Sequence, residues 1–301
     1  MKYIKFFILF GLLASFSANA LLEVNIIKSK EDSFPIVIAP FEMIGNFKED
    51  SDIAKIIRKN LNMSGQFDAK STNQLTTGPI DFDFYLKHKK DAIVLGKIRQ
   101  ISSNVNHAEI YIYDVLTQKP LYRNKIAFTN GALRKTAHAL SDVIYYALLG
   151  QKGSFNTKLS FVTVNNKNNG KRIYRLKISD WDGKNEQTII KDDDPILSPA
   201  WSPDQRKIAY VSFKNNRSDV FVKYVFQETL PQKLPKFNGI ASSPAWHPDG
   251  KNIALTLSKN GNKDIYLYNF ESQKLKRLTT KVAIDTEANF SPDGKNIAFT
   301  S

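Results

Sequence analysis

Ser198-Pro-Ala-Trp-Ser-Pro-Asp-Gln-Arg-Lys-Ile-Ala-Tyr210 returns as Ser243-Pro-Ala-Trp-His-Pro-Asp-Gly-Lys-Asn-Ile-Ala-Leu255, and again as Glu287-Ala-Asn-Phe-Ser-Pro-Asp-Gly-Lys-Asn-Ile-Ala-Phe299. The second prolines stand at 203, 248 and 292, a period of 45 and then 44 residues. After each of the first two copies comes an alternating strand opened by an acid, Asp219-Val-Phe-Val-Lys-Tyr224 and Asp264-Ile-Tyr-Leu-Tyr268. A fourth strand follows, as in Lys274-Leu-Lys-Arg-Leu278. Four short strands in roughly 40–45 residues make one blade of a β-propeller. Proline presets φ in the tight turn, aspartate bonds to its own backbone, and glycine takes the positive φ that closes the hairpin. Gln205 stands where the other copies have glycine, a substitution that costs on the order of 1 kcal/mol if the position is left-handed. Trp201, Trp246 and Phe290 recur as the large residues packed between neighbouring blades.

Working outward, Leu159-Ser-Phe-Val-Thr-Val164 aligns with the second strand of a blade and Ile173 to Ile178 with the third, and no Pro-Ala-Trp strand precedes them. Ser301 falls at the close of a second strand. The expectation is three and a half blades of a longer propeller, whose C-terminus would return to complete the first blade, because an open ring leaves raw sheet edges. Between about 34 and 150 the pattern is mixed α/β. Pro35 to Phe41 and Ala92 to Gly96 read as strands, and His107 to Leu116 alternates as a half-buried one. Asp50 or Ser51 is the expected cap of a helix carrying Ile53, Ile56, Ile57 and Leu61 on one stripe. A second helix is expected from about Asn130 to Leu149, stopped by Gly150. Residues 151–158 read as a linker and 159–301 as the propeller.

At the N-terminus, Lys2 and Lys5 precede an apolar run from Phe6 to Phe16, and Ala18-Asn19-Ala20 supplies small residues at the end. That order predicts a secretory signal over 1–20 cleaved after Ala20. The chain has no cysteine, which excludes disulfides, thiolate metal sites and cysteine nucleophiles. Its formal net charge of +14 suggests an acidic partner or an anionic surface. Export makes nucleic acid an unsuitable partner; direct binding of an anionic envelope polymer would show as a steep salt dependence. His88, His107, His138 and His247 share no metal-ligand spacing, so surface or packing roles suffice for them. Asp192-Asp193-Asp194 reads as a solvated loop and Asp180-Trp-Asp-Gly183 as a hairpin turn instead of a ligand set. Gly-x-Ser-x-Gly and His-Glu-x-x-His are absent, and no catalytic, cofactor or metal residue is assigned.

A signal, an α/β region and Ser-Pro-Ala-Trp-Ser-Pro-Asp units in that order resemble the TolB family of the bacterial Tol–Pal envelope system. The likeness extends through Leu22-Glu-Val-Asn-Ile-Ile27, Ala137-His-Ala-Leu-Ser-Asp142, Gly150-Gln-Lys-Gly-Ser-Phe155 and Leu176-Lys-Ile-Ser-Asp-Trp-Asp-Gly183. It implies an α+β N-terminal domain, a six-bladed all-β propeller, a periplasmic location, no cofactor and no catalysis. It also implies a monomer that binds the peptidoglycan-associated lipoprotein Pal, the protein TolA and other outer-membrane proteins, in support of envelope integrity and constriction at division. On that resemblance the TolA segment is 21–33, with Leu22, Glu23, Val24, Asn25, Ile26 and Ile27 as its strand; alternation there suits addition to a partner's sheet edge. The Pal surface falls on loops leading into the inner strands: Ile196, Leu197 and Ser198; Ile240, Ala241, Ser242 and Ser243; Asp285, Thr286 and Glu287. Thr286 matches the family's pattern, whereas Ile240 stands where the family tends to have a polar residue, often His. The rival expectation is a propeller that gates an exported serine peptidase, with the catalytic domain beyond residue 301.

Overall fold

The computed structural model describes residues 33–45, 52–72, 78–167, 170–237, 239–259 and 261–301. The expected signal with Ala20, and the expected TolA strand from Leu22 to Ile27, lie outside the described residues.

The α/β region contains β1 (Phe34–Ile38), β2 (Glu42–Ile44), α1 (Ile53–Met63), β3 (Phe67–Ser71), α2 (Phe82–Lys87), β4 (Ala92–Gln100), β5 (Val105–Asp114), β6 (Pro120–Thr129) and α3 (Leu133–Leu149). Its sheet runs β3-β1-β4-β5-β6, with β2 also on β4. β1 lies parallel to β3 and β4, and β2 parallel to β4, while β4, β5 and β6 are antiparallel neighbours. Alternation along the strands divides the side chains between two cores. Ile36, Ile38, Val94, Ile98, Ile110 and Ile112 meet Ile57 and Leu61 of α1 and Leu140 and Ile144 of α3. On the opposite face, Tyr85 of α2 covers Val37, Ile93, Leu95 and Val115.

The helix cap corrects the expectation of Asp50 or Ser51: it is Asp52, whose carboxylate accepts from the Lys55 amide at 3.0 Å. α3 begins at Leu133, three residues later than expected, and ends at Gly150, whose φ of +68° and N–H bond to the Tyr146 carbonyl close the last turn.

The remaining strands form four successive antiparallel sheets. β7 (Lys158–Asn166), β8 (Arg172–Asp180) and β9 (Gln187–Asp192) make the first, which has three strands. β10 (Ile196–Trp201), β11 (Lys207–Ser212), β12 (Asp219–Tyr224) and β13 (Gln232–Lys233) make the second. β14 (Ile240–Trp246), β15 (Asn252–Lys259), β16 (Asn262–Asn269) and β17 (Leu275–Arg277) make the third. β18 (Thr286–Phe290) and β19 (Ile297–Thr300) pair as the fourth. The fold is therefore an α+β domain followed by a partial β-propeller. Its first blade has no inner strand among the described residues, as the repeat arithmetic predicts.

The recurring turn is held locally. Ser202 Oγ donates to Asp204 Oδ1 at 2.5 Å and accepts from the Lys207 amide at 2.9 Å, and Ser291 repeats the pattern with Asp293 and Asn296. Gln205, Gly250 and Gly294 all take positive φ, at 57°, 68° and 71°. Trp246 does seal a blade seam, stacking on Phe270 and donating Nε1–H to the Ala200 carbonyl of the previous blade at 3.1 Å.

Candidate interaction surfaces

Strands alternate direction within each blade, so every inner strand starts at the same end of the stack. The expected Pal positions lie at that end. Asp285 lies in the loop before β18, as expected; the others are not loop residues but the bulged first residues of β10, β14 and β18. Register shifts between Leu197 and Ala200, Ser242 and Ala245, and Thr286 and Asn289. At the repeat-equivalent positions Ser198, Ser243 and Glu287, φ is 49°, 48° and 57°. A left-handed residue at each bulge bends the strand and re-aims its neighbours.

Three of the expected residues are therefore removed from the surface: Ile196, Ala241 and Asp285 are buried. Leu197 and Ile240 are 48% and 57% exposed, Ser198 and Glu287 are also exposed, and Ser242, Ser243 and Thr286 are partly so. Ile284, at the repeat position equivalent to Ile240, is 60% exposed and was missed by the sequence reading. The period alone could have found it. Leu197, Ile240 and Ile284 thus lie in an arc of separate exposed apolar side chains, one on each of three successive blades.

The β8–β9 hairpin turn is at the other end of the stack, where it enters the α/β domain. Arg134 of α3 donates Nε–H to Asp180 Oδ2 at 3.2 Å and also binds Asp182 through its terminal nitrogen. Lys158 Nζ donates to Asp180 Oδ1 at 2.5 Å, Asn185 Nδ2 donates to Asp180 Oδ2 at 2.7 Å, and Lys59 Nζ stands 3.7 Å from Asp182. Trp181, between the two acids, packs edge-on against Phe155 with ring centroids 5.1 Å apart and donates its indole N–H to His138 Nδ1 at 3.2 Å. The sequence reading recognised the hairpin but not this anchoring role.

His138, Asp180 and Asp182 place one potential ligand atom each within 4.8 Å of one another. The chemistry argues against a metal centre. His138 Nδ1 already faces two donors, so the single ring proton of a neutral imidazole sits on Nε2. Both carboxylates are matched by Arg134, Lys158 and Lys59. Burial acts to raise both acids, but the Lys158 and Arg134 bonds to Asp180, and the Arg134 bond to Asp182, outweigh it and hold them below the ordinary carboxylate range. The trio belongs to an ion-pair network between domains.

No helix among the described residues is long and apolar enough to cross a membrane. Two family models match the chain, the TolB amino-terminal domain over residues 22–121 and the TolB beta propeller domain over residues 145–301. The "Tol-Pal system protein TolB" of Ruthia magnifica is 53% identical over 87% of this chain, and that of Vesicomyosocius okutanii is 52% identical over 74%. The chain spans 62% and 53% of those two relatives' lengths. A crystal structure of TolB from Acinetobacter baumannii superposes with a TM-score of 0.77 at 34% identity, covering 89% of this chain and 66% of that one. These relatives are named for an envelope system and not for a hydrolase, which leaves the peptidase expectation without support. By both of its regions, and by the order in which they occur, the chain belongs to the TolB family.

Proposed function

We propose that this chain is a periplasmic, non-enzymatic adaptor of the Tol–Pal system. In this reading its propeller end binds the lipoprotein Pal, its mature N-terminal segment 21–33 binds TolA, and the two contacts together support outer-membrane integrity and constriction during division. The observation that carries the reading is the arc of Leu197, Ile240 and Ile284, one exposed apolar side chain per blade at one end of the stack. Single exposed apolar residues are ordinary, but one at the same end of each of three successive blades on a rigid scaffold suits a protein partner. The relatives' name supports the choice of system.

The test is titration calorimetry of the chain against the soluble periplasmic domains of Pal and TolA. Ile240→Asp is expected to weaken Pal binding by about tenfold or more, the effect of losing an interface anchor. Deletion of 21–33 is expected to abolish TolA binding and leave Pal binding intact. Pal affinity unchanged in Ile240→Asp removes the arc from the interface, and TolA affinity unchanged by the deletion removes the segment.

A further inference from the structure

We propose that His138 makes the contact between the α/β domain and the first propeller blade an acid-releasable latch, held shut by the neutral imidazole and opened when that ring is protonated at Nδ1.

The hydrogen-bond chain determines which nitrogen carries the proton. Ser141 Oγ donates to the Ala137 carbonyl at 2.8 Å, so its remaining capacity toward Asn60 is as an acceptor. Asn60 must therefore present its amide nitrogen, which lies 2.9 Å from Ser141 Oγ and 2.9 Å from His138 Nδ1. The Trp181 indole, a donor only, aims its N–H at the same Nδ1 from 3.2 Å. Two donors converge on one lone pair, so Nδ1 accepts. The proton is on Nε2, which is buried with no hydrogen-bond partner, 3.8 Å from Asp180 Oδ2.

Protonation adds an N–H at Nδ1, facing the N–H groups of Asn60 and Trp181. Asn60 can turn its oxygen inward only if Ser141 releases Ala137. Trp181 has no acceptor to offer, so the indole must withdraw. Trp181 is the tip of the hairpin that enters the α/β domain, and its withdrawal loosens the contact between the two regions.

The charges acting on the ring are Arg134 on α3, Lys158 on β7, Asp180 on β8 and Asp182 in the turn; Lys59 of α1 is bound to Asp182, and Asp142 stands one helical turn from His138 on α3. Burial, then the Arg134 charge, push the His138 ring below its ordinary value. A group whose pKa is depressed in the latched state contributes stability that is complete above its free value of about 6.5 and fades as pH falls below it. Between pH 7.5 and pH 5, release is favoured by up to about thirtyfold, the limit reached when the latched ring stays neutral throughout. Asp180 and Asp182 stay ionised in that window, because their partners hold them below the usual carboxylate range. Asp142 is shifted upward by burial and is the competing sensor.

The chain has no cysteine, so spin labels placed at Met63→Cys on α1 and Leu230→Cys on the second blade report one distance without background labelling. For the full 301-residue chain, one distance is expected at pH 7.5. At pH 5 a longer population should appear, enlarged by tenfold or more. His138→Asn keeps an acceptor for Asn60 and Trp181 but does not titrate, so its distance is expected to be the same at both pH values. Trp181→Phe removes one of the two clashing N–H groups and is expected to weaken the response, the Asn60 clash and the burial remaining. A wild-type distance indifferent to pH overturns the proposal. So does a response that persists in His138→Asn, which would indicate Asp142. Should circular dichroism show that His138→Asn does not fold, a response undiminished in Trp181→Phe overturns it equally.

Discussion

Gln205 occupies a left-handed turn position that its repeats give to Gly250 and Gly294. A side chain with a Cβ is strained there, and that of Gln205 is exposed. Gln205→Gly is expected to raise propeller stability by about 1 kcal/mol, read as a higher urea midpoint at unchanged slope; an unchanged or lowered midpoint would show that the strain is absorbed elsewhere. This position was legible from the sequence because three aligned copies expose the odd residue. Which residues of each inner strand reach the surface was not legible. The period locates Ile196, Ala241 and Asp285, but the left-handed residues at the bulges decide which neighbours turn inward. His138 was still less accessible to sequence reasoning: its partners Trp181 and Asn60 lie 43 and 78 residues away, and no local pattern couples them.

Among the elements, the blade strands were readable because repetition and alternation coincide. β6 was missed because its outward positions are exposed along most of its length, which blurs the period-two signal. α2 was missed because six residues hold too few turns for a stripe, though Asp81 caps it by accepting from the Phe84 amide at 2.9 Å. Two tryptophans at one repeat position make a natural comparison. Trp246 Nε1 donates to Ala200 of the preceding inner strand, whereas Trp201 Nε1 is buried without a partner, because the sheet before it begins at β7. Trp246→Phe should cost about 1 kcal/mol, the net worth of the hydrogen bond it removes, and Trp201→Phe clearly less. Circular dichroism during urea unfolding measures both; equal losses would mean that the bond across the seam contributes nothing.

On the scale of the whole molecule, the α/β region and the first blade meet through the Arg134 bonds to Asp180 and Asp182 and the Trp181 bond to His138. The Asp180-Trp181-Asp182 hairpin is at the end of the stack opposite the apolar arc. Anything tugging on the propeller mouth while something else restrains the α/β domain loads two tethers in parallel, the peptide from Gln151 to Thr157 and that one hairpin. The peptide is itself pinned, with Phe155 buried in the α/β core and the Phe155 and Asn156 amides on Asp142, but it is covalent and the hairpin contact is not. Mechanically, the tryptophan between two acids is the fuse: it fails first, and does so while both folded bodies remain intact.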